Sequence, residues 1–282
     1  MDIKSYYEVT KPKQTTLLMA TCVIAYAIAA ATFNVLHFFQ SCLAVFLAVA
    51  GTTALNMWLD SDIDSLMSRT KDRPVPAGRL STRRCAVYGL TLFGIGFLLG
   101  LNINPSLAFV LLLGLFFDII IYTVLLKRRS PYSIVLGGLA GAMPSLAGWT
   151  AAAGQIEVAG IILSSIILLW IPAHIWYLSI HFADDYRSAR VPMLPLIVGM
   201  ERASWAIVLA TAFMLILISL LYLTTPFSSI YIMLSILVTA YFLYRTIKFA
   251  LSPSREKAEY MYKLASMTLG AIYISLLIGS VV

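Results

Sequence analysis

Asn56-Met57-Trp58-Leu59-Asp60-Ser61-Asp62-Ile63-Asp64, followed by Arg69-Thr70-Lys71-Asp72-Arg73-Pro74, closes a long apolar run in which charge is otherwise almost absent. Ionised groups near hydrocarbon lose their hydration, so several carboxylates at the mouth of a membrane helix are costly unless a partner holds them there. A cation is the natural partner, and the adjacent Arg and Lys side chains add a place for an anion. Carboxylates, a divalent metal and a polyanion together make the pattern of a phosphate or diphosphate site.

Outward from this stretch the chain is membrane-like. Of 282 residues, 60% are hydrophobic and 12% charged, against about 25% charged in a soluble globular domain. Apolar windows of about 20 residues are the unit that spans a bilayer. Nine are found, near 15–33, 38–58, 85–101, 105–126, 132–153, 158–181, 201–223, 228–249 and 261–281. The expectation is an all-α, polytopic bundle of nine transmembrane helices forming one membrane domain over residues 1–282. The first 14 residues carry Lys4, Lys11 and Lys13 but no apolar core with a cleavage site, so neither a signal nor a transit peptide is expected.

The basic residues orient the bundle. All 20 Lys and Arg fall in the N-terminal tail and in, or at the span ends bordering, the even-numbered connections; those near 34–37, 102–104, 154–157 and 224–227 have none. The positive-inside rule then predicts a cytoplasmic N-terminus and an outside C-terminus in a prokaryotic plasma membrane. The net charge of +7 describes that basic face and gives no reason to invoke nucleic acid. Cys22, Cys42 and Cys85 have no metal-ligand spacing.

Asn56, Asp60 and Asp64 are spaced by four, which stacks them along one helix face with a rise of about 6 Å per step. Asp62 lies off that stripe. With oxygen donors and no His or Cys beside them, the cation is hard: Mg²⁺, or Mn²⁺. A second acidic group, Asp184-Asp185, follows the sixth span with Arg187 and Arg190 behind it. Two such groups on separate helix ends can clamp a metal-bound diphosphate and draw charge off the leaving group. Lys127-Arg128-Arg129 closes the fourth span, and Asp118 sits about two turns inside it, where an acid faces a cavity or a partner. His174 and His181 follow Pro172, which kinks a helix and frees backbone groups. Gly137, Gly138 and Gly141, with Pro144, make a small-residue face suited to close helix packing.

Asn56-x₃-Asp60-x₃-Asp64 followed by Arg69-Thr70-x₂-Arg73-Pro74 resembles the first aspartate-rich motif of the UbiA superfamily of intramembrane prenyltransferases. Further stretches resemble its protoheme IX farnesyltransferase (haem o synthase) branch. They are Thr10-Lys11-Pro12-Lys13, Tyr122-Thr123 running into Lys127-Arg128-Arg129-Ser130-Pro131, Gly137 to Pro144 with Gly148-Trp149, and Asp184-Asp185-Tyr186 to Pro195. The likeness covers roughly residues 6–200. It implies a chamber open to the cytoplasm, in which Mg²⁺-bound farnesyl diphosphate ionises to an allylic cation. A vinyl group of haem b attacks that cation and water captures the product, giving haem o. Asn56, Asp60, Asp64 and Asp185 would hold Mg²⁺, with Asp184 assisting; Arg69, Arg73, Lys127 and Arg187 would hold the diphosphate. His174 matches the His of a Pro-His-Phe-Trp element that suits a haem contact, although here the element reads Pro172-Ala173-His174-Ile175-Trp176. The adjacent Asp pair, in place of Asp-x₃-Asp, fits the haem branch over the quinone and ether-lipid branches.

Two other readings compete. One is a prenyltransferase with a quinone-precursor or glycerol-phosphate acceptor. The other is a secondary transporter, whose acids would lie near the midplane on broken helices; these acids lie at the basic rim.

Overall fold

A computed structural model describes residues 3–281, and every regular element among them is helical. A short helix α1 (Ile3–Val9) leads to α2 (Pro12–Ala29), opened by Pro12 at a position where the missing N–H costs nothing. α3 (Val35–Leu59) begins where the Asn34 side chain accepts the His37 amide, and α4 (Ser61–Ser65) follows it almost without a break. α5 (Thr82–Ile103) is capped by Ser81 in the same way, and α6 (Pro105–Leu115) by Asn104. α6 runs directly into a π-helical segment, Phe116–Leu126. Then come α7 (Ser133–Ala153), α8 (Val158–His181), two short helices α9 (Ala183–Ser188) and α10 (Leu194–Ile197), and the long α11 (Met200–Thr224), α12 (Ser229–Leu251) and α13 (Arg255–Val281).

Eight of the described helices are long and apolar enough to cross a membrane, with α6 and the π segment counted as one. The first window expected from the sequence is α2. Its 18 residues begin with Pro12-Lys13-Gln14, and it falls outside those eight. Large apolar side chains such as Leu209, Phe213, Ile216, Leu223 and Leu237 point outward on α11 and α12. That surface would be a liability in water and suits a hydrocarbon solvent.

The helices form a ring closed by α2, which packs against α3 on one side and α13 on the other, while α7 touches α2, α3, α6, the π segment and α8. Association inside lipid relies on close packing, which small residues permit. A Cβ on Gly51 would stand 2.4 Å from the Phe93 amide, so α3 and α5 meet backbone to backbone. The small face of α7 also serves packing: Tyr122 lies against Gly137, and Ile171 of α8 against Gly141.

Candidate active site

The acidic stripe is built across a helix end. α3 stops at Leu59 and Asp60 takes a non-helical ψ of 2°, yet the Asp60 amide still bonds to the Asn56 carbonyl at 2.9 Å and the Asp64 amide to that of Asp60 at 2.8 Å. Four-residue spacing therefore survives, although the single continuous helix expected from the sequence does not. Asp60 is 1% exposed and Asp64 3%. Burying two carboxylates at that depth requires partners.

Basic side chains from distant elements supply them. Lys127 Nζ donates to Asp60 Oδ2 at 2.5 Å and Arg73 Nη1 to Asp64 Oδ2 at 2.6 Å. Asn56 Nδ2 donates to Asp60 Oδ2 and to Thr123 Oγ1, both at 2.9 Å, and Lys11 Nζ donates to Asn56 Oδ1 at 2.8 Å. Thr123 in turn donates to the Asp118 carbonyl at 2.7 Å. Asp60 Oδ1 is buried and has no hydrogen-bond partner.

Several of these contacts depend on the π segment. The Lys127 amide bonds to the Tyr122 carbonyl, five residues back, at 2.7 Å. A π turn inserts a residue and rotates everything after it, a distortion found chiefly at functional sites. Here it lies between α6, which packs in the ring, and Lys127, which reaches α3. The Lys127 ammonium also stands 5.4 Å from the centre of the Tyr122 ring. Lys11 enters from the other side, at the mouth of α2, with left-handed backbone at φ 45°. Burial, followed by repulsion from Arg73, pushes its pKa down to about 8. A cation held at such a cost is relieved by an incoming anion.

The second acidic group sits on α9 at the same basic end. Asp185 Oδ1 accepts from Ser68 Oγ at 2.6 Å and from its amide at 3.1 Å; Oδ2 accepts from the Arg69 amide at 3.2 Å. Ser188 Oγ donates to the Leu66 carbonyl at 3.1 Å, and the Arg69 guanidinium lies 5.7 Å from the Phe182 ring centre. The loop after α4 is thus pinned to α9. Partial burial opposes ionisation of Asp185, but the Ser68 and Arg69 donors hold its carboxyl below the usual range. Asp184 is 68% exposed and pairs with Arg255 at 2.7 Å and Arg187 at 3.3 Å. Asp62 points outward, held by a two-pronged contact from Arg128 at 2.6 and 2.7 Å.

Among the described residues no three His, Cys, Asp or Glu side chains converge on one ion position. Mg²⁺ does not require that: it is typically held by one or two carboxylates together with substrate phosphate oxygens and water. The orphaned Asp60 Oδ1, the neighbouring Asp64 and the amide oxygen of Asn56 form an all-oxygen donor set of that kind. Three fixed cations beside them, Lys11, Arg73 and Lys127, suit a polyanionic ligand.

His174 lies elsewhere, on the seam between α8 and α13. It stacks between Trp170 and Tyr262, with ring centres 4.5 and 4.6 Å away, and its Nδ1 is 3.2 Å from Ser266 Oγ. His181 packs on Phe182, and its carbonyl accepts from Arg255 Nε at 3.0 Å. In the sequence Lys11 is one of several topology charges, and Thr123 itself carries no mark of a site residue. The one prior sign was their place in stretches that flank acidic or basic clusters.

A family model for the UbiA prenyltransferase family matches residues 18–269. A curated protoheme IX farnesyltransferase from Archaeoglobus fulgidus is 56% identical over 279 residues, covering 98% of both chains. Among solved structures, a digeranylgeranylglyceryl phosphate synthase is similar with a TM-score of 0.84 at 20% identity, covering 99% of this chain and 98% of that one. A UbiA homologue from A. fulgidus bound to DMAPP and Mg²⁺ gives 0.71 at 14% identity, covering 96% and 99%. At these identities the structural likeness speaks for the fold alone.

Proposed function

This chain belongs to the UbiA prenyltransferase family, and from that membership we propose that it transfers the farnesyl group of farnesyl diphosphate to a vinyl group of haem b, giving haem o and diphosphate. The full-length identity to an archaeal protoheme IX farnesyltransferase carries the choice of acceptor. The ether-lipid enzyme is similar in fold but shares only 20% of residues, so it carries no acceptor of its own.

The buried acid–base cluster supports the chemistry. Asn56, Asp60 and Asp64 would hold Mg²⁺, or Mn²⁺, with Asp185 and Asp184 completing the clamp from α9. A carboxylate has about four lone-pair sites, so Asp185 keeps acceptor capacity beyond its bonds from Ser68 and Arg69. The bound ion supplies positive charge to the departing diphosphate. Lys127, Arg73 and Lys11 bind the same oxygens as charge builds on them, with Arg69 and Arg187 at the rim. The side-chain oxygens they now hold, on Asp60, Asp64 and Asn56, are those the ion would take over, so each cation is free to turn to the anion. Such preorganised donors act without reorganisation at the moment of bond breaking. The allylic carbon–oxygen bond breaks to release diphosphate, the vinyl carbon attacks the farnesyl cation, and water captures the resulting carbocation and loses a proton to bulk water. His174 contacts the haem. The basic end of the bundle is cytoplasmic, the chamber opens there, and α2 crosses the membrane as the first of nine spans.

Expression in a host lacking its own haem o synthase tests the reading. Extracted porphyrins should contain haem o, and membranes stripped of divalent metal should form none until Mg²⁺ is restored. Prenylation of another acceptor without haem o would overturn the acceptor and leave the transfer chemistry standing.

A further inference from the structure

Arg83 and Arg84 stand in the first turn of α5, and neither has a carboxylate partner among the described residues. Their basic neighbours do: Arg79 pairs with Glu8 at 2.7 Å and Arg128 with Asp62 at 2.6 Å. No acidic residue shares the first turn of α5, so two adjacent cations face the positive end of a helix uncompensated. Together with Tyr6, Ser81 and Tyr88 they wall a cavity of about 510 Å³. A second hollow, about 440 Å³, lies on the bundle's outer face, lined by Leu55, Trp58, Leu90, Phe116, Ile119 and Ile120 among others. It has no charged side chain. Val87 at the edge of the first cavity and Leu90 in the second are both exposed and one helical turn apart, so the two hollows adjoin along α5.

A basic recess joined to an apolar groove has the shape of an amphiphile. We propose that the two together hold one anionic membrane lipid, with its phosphate headgroup on Arg83 and Arg84 and an acyl chain along the groove. Charge complementarity selects an anionic lipid over a zwitterionic one, because two unpaired guanidinium groups gain most from net negative charge. The apolar groove selects a lipid over free phosphate. The chain would lie against the back of the site: Leu55 adjoins Asn56, and Ile119 and Ile120 belong to the π segment that presents Thr123 and Lys127. Packing there would brace a backbone geometry that is rarely stable unsupported.

The test uses purified full-length protein in phosphatidylcholine nanodiscs containing increasing phosphatidylglycerol, reading thermal stability and the lipid retained after transfer to detergent. Wild type should gain stability with phosphatidylglycerol and retain it over phosphatidylcholine. Arg83→Gln/Arg84→Gln should lose the stability gain and cut retention by about tenfold, since each interfacial Arg strengthens anionic-lipid binding several-fold. Leu90→Trp, which fills the groove and leaves the charge alone, should cut retention too. Arg202→Gln, an exposed basic residue on α11, should change neither readout. Three results would overturn the proposal: an unaltered lipid response in the double Arg variant, an equal loss in Arg202→Gln, or the same stabilisation from inorganic phosphate in pure phosphatidylcholine discs. Neither readout needs turnover, so the outcome is independent of the proposed reaction.

Discussion

Lys127 and Asp60, 67 residues apart in sequence, meet at 2.5 Å through one carboxylate oxygen, while the other oxygen of Asp60 is buried without a partner. In the proposed reaction that second oxygen is the one left for the metal ion.

Removing either member separates structure from chemistry. Asp60→Ala leaves the Lys127 ammonium buried and unpaired, and losing one partner of a buried pair costs about 3–5 kcal/mol. Turnover should fall by on the order of 100-fold or more, the effect of deleting an electrostatic stabiliser of the transition state. The double variant Asp60→Ala/Lys127→Ala should recover much of the thermal stability and none of the activity. Near-normal turnover in Asp60→Ala would show the cluster to be purely structural.

Thr123→Val keeps the side chain's shape and deletes its bonds to Asn56 and to the Asp118 carbonyl. A net hydrogen bond is worth about 0.5–1.5 kcal/mol, so the Mg²⁺ concentration for half-maximal rate should rise by a few-fold, up to about tenfold. Thr123→Ser should behave as wild type. An unchanged metal requirement in the Val variant would remove Thr123 from the site.

Asp185→Asn replaces a carboxylate that accepts two backbone amides with a weaker acceptor. The loop from Leu66 to Arg69 should exchange its amide hydrogens faster and be cut sooner by added protease, alongside a fall in turnover. Activity lost with the loop's protection intact would assign Asp185 to the metal or the diphosphate and not to loop anchoring.

Some of this was readable before any coordinates. The window 158–181 coincides with α8 and 105–126 with α6 plus the π segment, because hydrophobic length is the dominant constraint in a bilayer. The four-residue stripe was equally legible, since its spacing persists through the break at Asp60. The π register was not: Phe116–Leu126 has an ordinary apolar composition, and its geometry follows from packing against α7 and α3. Lys11 carried one of many charges near a helix end, and only the fold shows that its ammonium turns inward to Asn56. The two acidic groups read as one clamp in sequence, but the link between them, the loop after α4 held to Asp185 through Ser68 and Arg69, was not legible.

Orientation is testable with cysteine labelling in a background lacking Cys22, Cys42 and Cys85. Ala77→Cys, in the basic loop before α5, should react only with reagent admitted to the cytoplasmic side. Gln155→Cys, between α7 and α8, should react from outside. Labelling of both from one side would overturn the topology and the cytoplasmic opening.

His174 distinguishes the haem acceptor from its rivals, and its setting makes the experiment specific. The imidazole is flanked by Trp170 and Tyr262, two aromatic faces of the kind that pack against a flat macrocycle. Ser266 engages Nδ1, and Nε2 has no hydrogen-bond partner among the described residues. A ring nitrogen oriented by a bond to its other nitrogen is the usual arrangement for an imidazole that meets a metal or a polar edge. Wild-type protein should bind haem b with a shifted Soret band, and His174→Ala should alter that spectrum and lower haem o formation. Because none of its contacts reaches the acidic cluster, the same variant should bind Mg²⁺ and farnesyl diphosphate as before. Ser266→Ala should give a weaker form of the same spectral change, since it frees the ring without removing it. An unaltered Soret band in His174→Ala would exclude the residue from haem binding while leaving the acceptor intact. Absence of saturable haem binding in the wild type would displace the acceptor itself.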